Sequence, residues 1–218
     1  EWAPGFGGAA VHTIVPDPTS EKVTVAMSTG GVYVSDDGAS GWTPRNRGIH
    51  VKFMPDEYPE FGQCVHKVAV DAGDPQRMYA QNHHGVYRSD DGGLQWTSIA
   101  DGLPSDFGFF VLSSPYQPGT AWVMPLEADE RRIPVGGRMR VHRTRDAGAT
   151  WTEHGPGLPD DTYTVVLRDA ACVDADRPTG VYLGTRDGCV YASADEGETY
   201  SLVADHLPDV LSVRAALV

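Results

Sequence analysis

"VYRSDDGGLQWTSI", residues 86–99, is the stretch that decides the fold. Three others keep its rhythm: "VYVSDDGASGWTPR" from Val32, "VHRTRDAGATWTEH" from Val141 and "VYASADEGETYSLV" from Val190. All fit Ser/Thr-x-Asp-x-Gly-x-x-Trp, with Ala39 in place of Gly in the first copy and Tyr200 in place of Trp in the fourth. The lead residues Ser35, Ser89, Thr144 and Ser193 are spaced 54, 55 and 49 apart. A period near 50 residues marks an array of structural repeats.

Each repeat reads as four short strands. In residues 64–103 they are "CVHKVAVD", "RMYAQN", "VYRSD" and "WTSIA", separated by turns rich in Gly, Asp and Pro. Runs of four to eight residues enriched in Val and Tyr, with such punctuation, form an antiparallel meander. The first and fourth repeats obey the same grammar, and the third obeys it more loosely. No segment keeps a helical period. The fold expected is all-β, a β-propeller of four-stranded blades spanning about 11–48, 64–104, 109–159 and 163–208.

The repeated box then falls on the hairpin between the third and fourth strands of each blade. An Asp there accepts bonds from nearby backbone N–H groups. Gly takes a backbone conformation that a side chain resists, and Trp packs its ring between sheets. The structural set is Ser35, Asp37 and Trp42; Ser89, Asp91, Gly93 and Trp96; Thr144, Asp146, Gly148 and Trp151; and Ser193, Asp195, Gly197 and Tyr200. Ala39 predicts an altered, strained turn in the first copy.

These four copies resemble the Asp-box (BNR) repeats of the sialidase-like propellers. "HTIVPDP", "GGVYVSDDG", "GLPSDFGF" and "VYASADEGET" are most similar to bacterial exo-α-sialidase-like and BNR-repeat proteins. The resemblance covers nearly the whole chain and implies a propeller. It leaves activity open, because the repeat occurs in sialidases, other glycosidases, receptors and assembly factors.

Composition narrows the classes. The 218 residues are 40% hydrophobic and 22% charged, ordinary for a chain with a sizeable core. The formal charge of −13 argues against a nucleic-acid partner, which would require a basic stripe. It suits a cationic ligand or a metal. No apolar run is long enough to span a membrane, and the start does not read as a signal peptide. Cys64, Cys172 and Cys189 show no CxxC spacing; they read as free thiols in a reducing, cytoplasmic setting.

The end, "DVLSVRAALV", follows the fourth blade and looks like one more first strand, 210–218. Two explanations are expected: the chain is part of a larger ring, or another copy completes it, since an unpaired strand edge favours self-association.

Aligned on the Asp that ends each first strand (Asp17, Asp71, Asp174), the residues five earlier are His12, His66 and Asp169. First strands line a propeller's channel, so these three are expected near one axis. Asn82, His83 and Glu127 end second strands on the same rim, and the long segments 50–63 and 128–137 also reach it. The ligand-binding set expected is His12, His66, Asn82, His83, Glu127, Asp129, Arg132 and Arg168. His12, His66 and His83 suit a divalent metal. Glu127 and Asp169 suit an acid–base pair for glycoside cleavage.

"RRIP" at 131–134 contains the Arg-Ile-Pro of sialidases, but between the second and third boxes, not ahead of the first; a motif counts only in its context. The leading expectation is a non-catalytic propeller that binds a small-molecule, glycan or protein ligand at the channel mouth. A sialidase-like glycoside hydrolase comes second and an assembly factor or scaffold third.

Overall fold

The computed structural model describes residues 10–216. Among these residues sixteen strands form four antiparallel sheets, each a four-stranded meander in sequence order. Blade 1 holds β1 (Val11–Pro16), β2 (Val23–Met27), β3 (Gly31–Ser35) and β4 (Thr43–Pro44). Blade 2 holds β5 (Val65–Val70), β6 (Met78–Asn82), β7 (Val86–Ser89) and β8 (Thr97–Ser98). β9 (Val111–Ser113), β10 (Ala121–Val123), β11 (Val141–Thr144) and β12 (Thr152–His154) make blade 3. Blade 4 is β13 (Val166–Val173), β14 (Val181–Thr185), β15 (Val190–Ser193) and β16 (Ser201–Ala204). Inner strands β1, β5, β9 and β13 neighbour one another in that order, and the whole is a β-propeller. The described residues contain no α-helix, only a 3-10 turn at Val135–Gly137. None of their helices is long and apolar enough to cross a membrane.

The core lies between blades. Ala26 and Val32 of blade 1 pack with Val68, Met78, Ala80 and Trp96 of blade 2. Tyr79, Val86 and Ile99 of blade 2 meet Val111, Ala121 and Val123 of blade 3. Trp122, Met124 and Val141 of blade 3 meet Val166, Leu183 and Tyr200 of blade 4. A sheet covered on both faces has no solvent-facing side, which is why every residue of β6 is buried, Gln81 and Asn82 included. Among the described residues the two end blades keep exposed apolar side chains. Val11 and Ile14 of β1 are 57% and 66% exposed, and Leu202 and Val203 of β16 are 51% and 58% exposed.

All four boxes share one geometry. The hydroxyl of Ser35, Ser89, Thr144 or Ser193 donates to Oδ1 of the Asp two residues on, at 2.6–2.8 Å. That oxygen accepts the amide four residues beyond the Asp, at 2.8–2.9 Å. The same hydroxyl accepts an amide from the Gly position, Gly93, Gly148 or Gly197, where φ is +84° to +89°. Ala39 donates the corresponding bond with φ at +72°, so the altered first box keeps the turn at the cost of left-handed strain.

The segment expected as an extra strand forms no ladder over 210–216; Leu217 and Val218 lie outside the described residues. It is tied to blade 4 by two backbone bonds, Val210 N–H to the Thr185 carbonyl at 3.1 Å and Val213 N–H to the Asp169 carbonyl at 2.9 Å, and by the Arg214 side chain on Asp169. Val210 and Val213 press on Gly184, where a Cβ would come within 2.3 Å of a Val210 methyl. β13 bulges beside it: residues 167–170 lie outside the regular register, and Asp169 among them accepts the Val213 bond.

Candidate functional site at the channel mouth

Three of the inner strands bulge at corresponding places. In β1, Val11 and Thr13 pair with the adjacent Met27 and Ala26, leaving His12 as the extra residue. In β5, Val65 and Lys67 pair with Asn82 and Gln81, leaving His66 extra. In β13, residues 167–170 lie opposite Gly184 alone. A bulge re-aims side chains and breaks pairing; here it releases His12, His66, Arg168 and Asp169 from the alternation of their strands.

His66 is buried, its ring centroid 5.3 Å from that of Phe109 and 5.8 Å from that of Phe107. Its Nδ1 is 2.7 Å from the Gly108 carbonyl. A carbonyl only accepts, so Nδ1 carries the proton and Nε2 is a lone pair. Burial, then the nearby charge of Arg168, hold this imidazole well below its usual pKa. His12 contacts the Val65 carbonyl through Nδ1 at 2.8 Å and is lowered by the same two causes. Arg168 stands over Phe109, 5.0 Å from the centroid, with its buried Nε lacking a partner among the described residues. Burial lowers its pKa too.

Asp169 bonds Lys67 of blade 2 at 2.6 Å and Arg214 at 3.4 Å. Burial raises its pKa, but these two cations outweigh that and hold it below the usual carboxylate range. A general acid requires the opposite shift.

Beside this channel lies a cleft of about 500 Å³, built from the rim opposite the boxes. Lys52 and Phe53 come from the loop between β4 and β5, His83 and His84 from the β6–β7 turn, and Glu127 to Glu130 from the loop after β10. Phe107 and Asp106 complete its wall. Isolated bridges from Leu126 to Phe107 and Pro134 anchor the loop after β10. Within that loop Glu127 accepts from Arg131 at 3.1 Å and from the Gly136 amide at 3.3 Å.

His83 links cleft and channel. Its Nδ1 is 3.2 Å from His66 Nε2 and its Nε2 is 3.1 Å from Asp129 Oδ2. Burial pulls its pKa down, yet contacts with Cys64 and Asp129 leave it raised. A bond with Glu130 and the adjoining histidines hold Asp129 down at about 2. His84 is pushed to about 4 by burial and by His83.

The structure thus brings His66, His83 and Asp129 together, with Arg132 close by. Arg132 Nε donates to the Asp129 carbonyl at 3.0 Å, and its guanidinium is 5.7 Å from the Phe109 centroid. Asn82 is buried beneath the rim, holding the His50 and His84 carbonyls at 3.2 and 3.0 Å. Glu127 lines the cleft, whereas Asp169 does not. Cys64 clusters with His66 and His83, and His12 is not part of that cluster. Sequence reasoning missed Cys64, His84, Phe53 and the Phe107–Phe109 pair. The Cys-x-His at 64–66 and the His pair at 83–84 were the available signals.

No protein-family model matches this chain, and no curated protein does. Solved structures do. An ancestral GH74 enzyme is similar at 20% identity over 94% of this chain and 25% of that one, with a TM-score of 0.70. The GH74 enzyme of Niastella koreensis is 14% identical over 92% of this chain and 25% of its own, TM-score 0.58. YCF48 from Cyanidioschyzon merolae is 13% identical over 90% and 56%, TM-score 0.61. The chain therefore spans about a quarter of the length of both GH74 enzymes. At these identities the likeness shows the propeller fold alone.

Proposed function

We propose that this is an Asp-box propeller of the BNR type that binds a ligand at the channel-mouth cleft without chemical turnover. One observation carries the reading: the cleft joins the rings of Phe53 and Phe107 to the carboxylates of Asp106, Glu127, Asp129 and Glu130. Aromatic faces beside carboxylates suit a ligand with an apolar face and hydroxyl or cationic groups, such as a glycan or a basic segment of a protein. The two long loops present these groups on a rigid scaffold, as binding loops do. Free thiols at Cys64, Cys172 and Cys189 support a reducing, cytoplasmic setting.

A sialidase-like hydrolase fits less well. Asp169 is clamped by two cations, Glu127 is bound to Arg131 within its own loop, and Arg132 is stacked near Phe109. A scaffold role would use the exposed apolar faces of β1 and β16 rather than the cleft.

Arrays of glycans and of basic peptides probed with the purified chain test the proposal. Binding to one class, weakened about tenfold or more in Phe53→Ala and Glu127→Gln, supports it. Turnover of chromogenic glycosides that is lost in Glu127→Gln would replace it with the hydrolase. Binding that survives both substitutions would move the site elsewhere.

A further inference from the structure

Cys64, His66 and His83 each offer one ligand atom within 4.8 Å of the other two. The backbone builds this meeting. The His83 amide donates to the Cys64 carbonyl at 2.9 Å, fixing the end of β6 against the start of β5. The bulge at His66 turns its ring to the same place.

The second contact of each imidazole defines its role. His66 donates from Nδ1 to Gly108, leaving Nε2 as a lone pair aimed at His83. Asp129 accepts at Nε2 of His83, leaving Nδ1 aimed at His66. Two lone pairs that face each other at 3.2 Å require a cation between or beside them, either a proton or a metal ion. In a tetrahedral zinc site with Zn–N of about 2.0–2.1 Å, two ligand nitrogens stand about 3.3 Å apart. The carboxylate–histidine and carbonyl–histidine pairs are the supports that orient metal-bound imidazoles. A thiolate beside two imidazoles selects a borderline-soft ion such as Zn²⁺ over Mg²⁺ or Ca²⁺.

A second grouping, His83, His84 and Asp129, shares His83. It is less prepared: His84 Nε2 is 3.8 Å from Asp129, and His84 Nδ1 has no partner among the described residues to fix the ring.

We propose that Cys64 Sγ, His66 Nε2 and His83 Nδ1 bind one zinc ion, that Asp129 positions His83 for it, and that a fourth position is left for water or a ligand donor. Binding converts the Cys64 thiol to thiolate and releases its proton, together with any proton held between the two imidazoles. The site shares His83 and Asp129 with the cleft, whereas Cys64 and His66 do not line it.

The test uses the full chain. Zn²⁺ is titrated against a chromophoric chelator, and Co²⁺ serves as the spectroscopic probe. The expectation is one equivalent of zinc, and a cobalt spectrum with a thiolate charge-transfer band and intense tetrahedral visible bands. Cys64→Ser removes the charge-transfer band, whereas Cys172→Ser and Cys189→Ser retain it. Asp129→Asn weakens zinc about 10–100-fold. Zinc also protects Cys64 from alkylation in the unmodified chain, a readout that needs no variant to fold. Substoichiometric zinc, an octahedral cobalt spectrum, or unaltered binding in Cys64→Ser would overturn the site.

Discussion

Trp96 of blade 2 donates through its indole Nε1 to the carbonyl of Arg45 in blade 1, 2.8 Å away. Trp151 of blade 3 repeats the bond to Ile99 of blade 2 at 2.7 Å. Each acceptor lies three residues after the box Trp of its own blade, so the second and third boxes clip their blades to the one before. Trp42 finds no preceding blade among the described residues and is 42% exposed, against 1% for Trp96. Trp96→Ala is expected to cost about 3–5 kcal/mol, and Trp42→Ala less than about 1 kcal/mol. Denaturant melts of the two variants check this, and equal losses would contradict the clip.

Ala39 occupies the left-handed position that glycine takes in the other boxes. Ala39→Gly should therefore stabilise the protein by up to about 1 kcal/mol, strain relief exceeding the added chain entropy. Gly93→Ala should destabilise by about 1–2 kcal/mol, because its new Cβ meets Arg45 Cβ at 3.3 Å as well. The midpoint of urea unfolding reads both changes.

Two box carboxylates, Asp146 and Asp195, imply acid lability. Bonds from Thr150 and Thr144 hold Asp146 below its ordinary value. For Asp195 burial acts upward, but bonds from Ser193 and Thr199 outweigh it. A carboxylate with a lowered folded pKa stabilises the protein fully above its unfolded value near 4, and that stability is lost as pH falls through the folded pKa. Stability should thus be flat from these groups above about pH 5 and fall below about pH 4. Asp146→Asn should flatten that slope, which melting curves across pH 2.5–6 would show.

Lys67 and Asp169 connect blades 2 and 4 at 2.6 Å. Both are partly exposed and Asp169 keeps Arg214 as a second partner, so a double-mutant cycle to Ala should give a coupling of only about 0.5–1 kcal/mol. A larger value would mean that this pair holds the channel together.

The boxes were legible as a linear pattern because their bonds are local. Ser89, Asp91 and Gly93 satisfy one another within a few residues, so any chain carrying them in order folds the same hairpin. The cluster on the opposite rim has no such local grammar. His66 is out of register through a bulge, and Cys64 reaches His83 through the end of an adjacent strand. His83 finds Asp129 from another blade. The glutamate and aspartate chosen as an acid pair looked alike in sequence, and their surroundings separated them: one lines the cleft, the other is held between Lys67 and Arg214.

The amino-acid order alone thus establishes the blades, their number in this chain and the box hairpins, since strand period and turn chemistry act over a few residues. Which histidines meet, which proton each one holds and which carboxylates stay free were decided by tertiary structure. Those properties depend on distances of a few ångströms between blades and on loss of water, and neither is encoded in local spacing.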